Sequence, residues 1–143
     1  MADRTFSPGD PALPTSGILV GSGGGFTQVY EDFALQADGQ IKKIRYMTLD
    51  GGPIPADFVV TGTGKLDGQI ISGFQAKLVQ IGFWNLQLDP PLSDTFHYLV
   101  AIDPQRGLHF VLWGPEAPDR IAQLKALYDE IVDRAGGAVQ TAP

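Results

Sequence analysis

Residues 95 to 113 constrain this chain more than any other stretch. Thr-Phe-His-Tyr-Leu-Val-Ala-Ile-Asp is followed by Pro-Gln-Arg-Gly and then by Leu-His-Phe-Val-Leu-Trp. Two runs rich in β-branched and aromatic residues flank a four-residue link of turn formers, the pattern of an antiparallel hairpin. The first run is apolar on both sides, with Phe96, Tyr98, Val100 and Ile102 on one and Leu99 and Ala101 on the other. Such a strand needs cover on both faces and belongs inside a sheet. The rest of the chain is therefore expected to pair with this hairpin or to pack on it. If Asp103 faces Leu108 across the link, His109 faces Ile102 and lies on the face opposite His97.

A length of 143 residues makes this one domain. Residues 1 to 15 carry Pro8, Pro11 and Pro14 without periodicity and read as a disordered leader. The folded domain is expected over residues 16 to 135, with residues 136 to 143 a flexible tail. A short strand over residues 17 to 21 leads into a glycine-rich connection, Ser22-Gly23-Gly24-Gly25-Phe26. In the strand that follows, Val29, Phe33 and Leu35 form the apolar side, with Glu31 as its exception, against Tyr30, Asp32 and Ala34. Asp38-Gly39 supplies a hairpin turn. Lys42, Lys43 and Arg45 mark the next strand as a sheet edge, and a brief strand over residues 56 to 61 comes after it.

Leu66, Ile70, Ile71, Phe74, Leu78 and Ile81 share one helical face, so the spacing predicts a helix over residues 66 to 83, weakened by Gly68 and Gly73 and stopped by Gly82. Past the hairpin, Pro118 and Asp119 open a last helix with a stripe of Ile121, Leu124, Leu127, Tyr128 and Ile131, which Gly136-Gly137 ends. The expected fold is α+β: a twisted antiparallel sheet of four to five strands packed with two helices, in the order βββ-α-ββ-α.

Charge and composition remove several functions. The net charge is -6 and the pI near 4.6. No basic run longer than Lys42-Lys43-x-Arg45 offsets that, which argues against nucleic acid. Without cysteine there is no disulfide, thiolate metal site or cysteine nucleophile. No apolar run reaches the length of a membrane span. The first residues lack the apolar core of a signal peptide. The chain suits the cytoplasm, or export with its signal segment absent from this chain.

No constellation for chemistry stands out. The glycine cluster at 21 to 25 feeds a strand pattern where a phosphate loop would feed a helix, and Phe26 stands where a dinucleotide fingerprint needs glycine. Gly62-Thr63-Gly64-Lys65 has Leu66 in place of the P-loop hydroxyl. Divergent histidines do not clamp one metal. Glu31 and Asp32 point to opposite faces. Ser93, Asp94 and His97 have the letters of a triad at a junction where a turn needs Ser and Asp anyway. Trp84, Trp113, Phe83 and Phe110 suit a core more than a pocket. No catalytic residue, metal ligand or cofactor is assigned.

The Ser22–Phe26 segment, the Asp38-Gly39 turn, a middle helix closing on Gly82-Phe83, Asp94-Thr-Phe-His-Tyr98 leading into the hairpin, and Trp113 followed by Pro118 and a Leu124/Leu127 helix resemble the emfourin family. Its members are small bacterial protein inhibitors of thermolysin-like metalloproteases such as protealysin, with relatives of unknown role. The likeness spans residues 17 to 132; the Pro-rich leader and the longer middle, residues 50 to 65, depart from it. The resemblance implies a non-enzymatic protein that occludes a metalloprotease cleft. Its contact residues would be Ser22, Gly23, Gly24, Gly25 and Phe26, with residues 50 to 55 beside them. The alternative is a small-molecule or envelope-associated binding domain without inhibitory activity. A third reading is a small enzyme using Asp94 and His97.

Overall fold

In a computed structural model, residues 5–25, 28–48, 54–93, 95–115 and 117–141 are described. The strands are β1 (Gly17–Gly24), β2 (Val29–Gln36), β3 (Gln40–Met47), β4 (Val59–Lys65), β5 (Thr95–Asp103), β6 (Gly107–Trp113) and β7 (Val139–Thr141). The helices are α1 (Gly68–Gln80) and α2 (Ala122–Ala138), with short 3-10 turns at Phe83–Asn85 and Asp119–Ile121. All strands join one antiparallel sheet in the order β6-β5-β1-β2-β3-β4-β7. The fold is thus α+β, as expected, with seven strands rather than four or five.

Strand alternation sorts the side chains into two cores. On one face Ile18, Val20, Leu35, Ile41, Leu99, Ala101, Val111 and Trp113 meet Ile71, Phe74 and Leu78 of α1 and Leu124, Leu127, Tyr128 and Ile131 of α2. Both helical stripes are those expected from spacing. On the other face Leu19, Tyr30, Ala34, Ile44, Tyr46, Phe96, Tyr98 and Val100 pack with Phe6 and Ile54. β1 and β5 are apolar on both sides because each side is covered.

Several expectations are corrected. β3 is interior, not an edge, since β4 and β7 pair beyond it; Lys43 reaches over the Phe33 ring at 5.7 Å. The side of β2 opposite its expected apolar face, Tyr30, Asp32 and Ala34, is buried as well, Tyr30 and Ala34 within the second core. The leader is seated from residue 5, with Phe6 4% exposed, where a free tail was expected. α1 is shorter than the predicted helix; Asp67 caps it by accepting from Gln69 N at 2.8 Å. α2 runs through Gly136 and Gly137 to deliver β7 to β4.

The hairpin forms with a register one residue from the expected one. Asp103 pairs with Gly107, so the link is Pro104-Gln105-Arg106. Gly107 adopts φ +86, which glycine alone takes without strain. Asp103 Oδ1 accepts from Gln105 N at 2.7 Å and from Arg106 N at 3.3 Å, closing the turn. His109 therefore faces Ala101 and lies on the same face as His97, not the opposite one.

Candidate functional site

The glycine-rich stretch is not a free connection. Ser22, Gly23 and Gly24 are the last residues of β1 and pair on both sides, with Glu31, Tyr30 and Val29 of β2 and with His97, Phe96 and Thr95 of β5. Gly25 follows in a turn at φ +73, and its carbonyl accepts from Gln28 Nε2 at 3.0 Å. Phe26 lies outside the described residues. The glycines are there because neighbouring side chains lean over them. A Cβ at position 21 would lie 2.7 Å from Asp32 Cγ, and one at position 23 would lie 2.6 Å from Tyr30 Cδ1.

What leans over Gly21 is a buried carboxylate. Asp32 is 1% exposed. Tyr98 OH donates to its Oδ1 and Tyr46 OH to its Oδ2, and the two phenol oxygens lie 3.2 Å apart. In the register Tyr98, Gly21 and Asp32 stand in one row across β5, β1 and β2. Strands lie about 4.8 Å apart, so Tyr98 reaches a residue two strands away only because the middle position has no side chain. Tyr30 stacks on Tyr46 at 5.6 Å. Burying a carboxylate is costly unless both oxygens find donors, and the phenols supply them. Sequence reasoning missed this cluster; the signal was Gly21 and Gly23 at alternate positions of a strand, opposite Asp32 and Tyr30.

On the helix side of the same strands, Tyr128 OH donates to Gly21 O at 3.0 Å and lies 3.3 Å from His97 Nδ1. Trp113 packs edge-on against Tyr128 at 5.1 Å. Burial lowers the pKa of His97, with Lys125 adding to the effect and Asp129 opposing it. Burial also pushes Tyr128 up to about 12, against a hydrogen bond from Ser22. At neutral pH both groups are uncharged, a hydrogen-bonded pair that holds α2 to β1 and β5. Ser93 Oγ accepts from Thr95 N at 3.2 Å, a turn role; Asp94 lies outside the described residues.

The histidines share a face but do not meet. His97 pairs with Trp113 and His109 with Ala101, four positions along the strands, a separation of about 13 Å. His109 Nε2 lies 2.9 Å from Leu86 O, and its ring is edge-on to Phe83 at 5.0 Å. Among the described residues no group of three or more His, Asp or Glu gathers in a way that would hold a metal. Trp113 is core at 3% exposed, and Trp84 is half-buried beside Phe83.

The surface feature of this end of the sheet lies next to Gly24. The connection from β1 to β2 and the one from β3 to β4 leave side by side, since β1, β2, β3 and β4 are neighbours. Met47 (61% exposed) pairs with Val29, and Val59 (60% exposed) pairs with Arg45 on the next strand. Glu31 pairs with Arg45 between them. At the opposite side, two open clefts of about 310 and 460 Å³ flank residues 88 to 91 along β6. No described helix is long and apolar enough to cross a membrane.

Fold and corner together define an antiparallel sheet with exposed apolar side chains at one end. No known family model matches the chain, and no curated protein does.

Proposed function

We propose that this is a non-enzymatic protein-binding domain that engages its partner through the corner formed by Gly25, Met47 and Val59. The observation that carries the reading is the exposure of Met47 and Val59 at one end of the sheet, on either side of the paired Glu31 and Arg45. Large apolar side chains left open beside charged ones are the anatomy of an interface centre with a polar rim. Met47 and Val59 both sit on strands held in the sheet, Met47 paired with Val29 and Val59 with Arg45, which limits the ordering cost of binding. The partner we propose is a thermolysin-like metalloprotease, blocked by occlusion of its cleft, as the emfourin resemblance implies. Ser22, Gly23 and Gly24, held in β1, then form the base of the contact, with Gly25 and Phe26 as its further contact residues.

Deleting Gly23 to Gly25 is a poor probe, because it shifts the register of a strand paired on both sides. Met47→Asp with Val59→Asp is better. Titration of thermolysin with the native chain is expected to abolish peptide hydrolysis near one equivalent. The double variant should leave the melting temperature in place and restore hydrolysis. Full protease activity at excess native chain overturns the inhibitor reading, and equal inhibition by the double variant overturns the corner.

A second reading, a small-molecule or envelope-associated binding domain, is favoured by the two clefts along β6. They share Leu88, Asp89, Pro90, Pro91 and Leu112, a lining that is mostly apolar. Leu112→Arg discriminates: it would fill the clefts and leave protease binding unchanged.

A further inference from the structure

The sheet face away from the helices holds a segment that has no regular structure of its own. Residues 5 to 14 pack on it through Phe6, which is buried, with Ala12 and Leu13 partly buried against the same cluster. Ser7, Pro8, Gly9 and Pro11 between them are exposed. Phe6 sits in a socket between Tyr98 of β5, at 5.2 Å, and Phe110 of β6, at 5.3 Å and edge-on. The hydrogen bonds of Ser7, Asp10 and Leu13 run within the segment: Ser7 N to Asp10 Oδ2 at 3.0 Å, Asp10 N to Ser7 O at 3.1 Å, Leu13 N to Asp10 O at 3.1 Å. The segment therefore carries its own turn and packs the Phe6 ring between side chains of the sheet, the way a bound peptide does.

We infer that the Tyr98–Phe110 socket is a peptide-binding site, filled in cis by residues 5 to 14, and that the occupant it takes in trans is the same segment of a second copy. The identical sequence is complementary to the socket by its nature. Exchange of this segment between copies re-forms every contact with no new surface required. The socket lies on the face opposite the helices, apart from the Met47–Val59 corner, so this inference does not rest on the proposed function.

The test uses the full chain carrying Phe6→Ala, with a synthetic peptide of residues 1 to 16 as probe. The peptide should bind the variant and return the Tyr98 and Phe110 ring resonances to their native positions. The unmodified chain, whose socket is filled, should bind it about ten-fold or more weakly, and a Phe6→Ala peptide should lose binding by a similar factor. Equal binding of the two peptides, or none by a variant that keeps its native circular dichroism, overturns the inference. Amide exchange on the unmodified chain covers the case in which the variant does not fold. Residues 5 to 14 should exchange faster than β5 and independently of it; exchange at the same rate as β5 makes the segment core and overturns the inference.

Discussion

Gly21→Ala separates two accounts of the glycine-rich strand. A glycine in a strand interior is ordinarily a weak point, and alanine there stabilises by roughly 0.5–1 kcal/mol. At position 21 the sign should reverse. The new Cβ would lie 2.7 Å from Asp32 Cγ and 2.8 Å from Glu31 O, closer than any carbon tolerates. The Asp32 carboxylate must move off the hydroxyls of Tyr46 and Tyr98. Hydrogen bonds to a charged group contribute about 1.5–3 kcal/mol each, and overpacking adds about 1–3 kcal/mol. Part of the loss is recovered by relaxation, so a net cost of about 4 kcal/mol is expected, a large share of the ~5–15 kcal/mol that holds a domain together. At about 3 °C per kcal/mol for a chain of this size, the melting temperature should drop by roughly 12 °C. Urea unfolding of the native and variant chains measures it directly. In an Asp32→Ala background the penalty should shrink, because the carboxylate is gone, but not vanish, because Glu31 O remains. A Gly21→Ala chain within about 0.5 kcal/mol of native refutes the argument, since that is the range of substitutions that disturb nothing.

Three further outcomes follow from the geometry. His97 has its folded pKa below the ordinary 6.5 because burial disfavours its charged form. The folded state therefore resists protonation: stability is complete above pH 6.5 and falls as pH drops through that value toward the folded pKa. Urea midpoints across this range should fall for the native chain and stay flatter for His97→Gln. Tyr128→Phe removes the hydrogen bond to Gly21 O and should cost about 1 kcal/mol. With its pKa raised from 10 to about 12, the stability Tyr128 contributes holds below pH 10 and is lost between those values, so the variant should unfold less steeply in alkali. Gly107→Ala forces a side chain into φ +86 and should cost about 1 kcal/mol, read as a fall of roughly 3 °C in melting temperature.

By itself the sequence determined the elements that depend on local periodicity. The two-faced apolar run of β5, the stripes of α1 and α2, and the Asp38-Gly39 and Gly82 stops all follow from side-chain spacing along one strand or helix. The class of the fold follows too, since such elements bury their apolar faces in only a few ways. Tertiary structure decided everything that requires knowing what lies opposite. β3 looked like an edge because lysines are visible in sequence, while the strands that pair beyond it are not. Tyr30, Asp32 and Ala34 looked like the outer side of a half-buried strand, while the tyrosines of β3 and β5 that meet Asp32 there are not written locally. Alternation leaves register open by one residue, and Gly107 closed it, turning His109 to the face of His97. Gly21 is the sharpest case: only the row Tyr98–Gly21–Asp32 shows that its missing side chain is the space a buried carboxylate occupies.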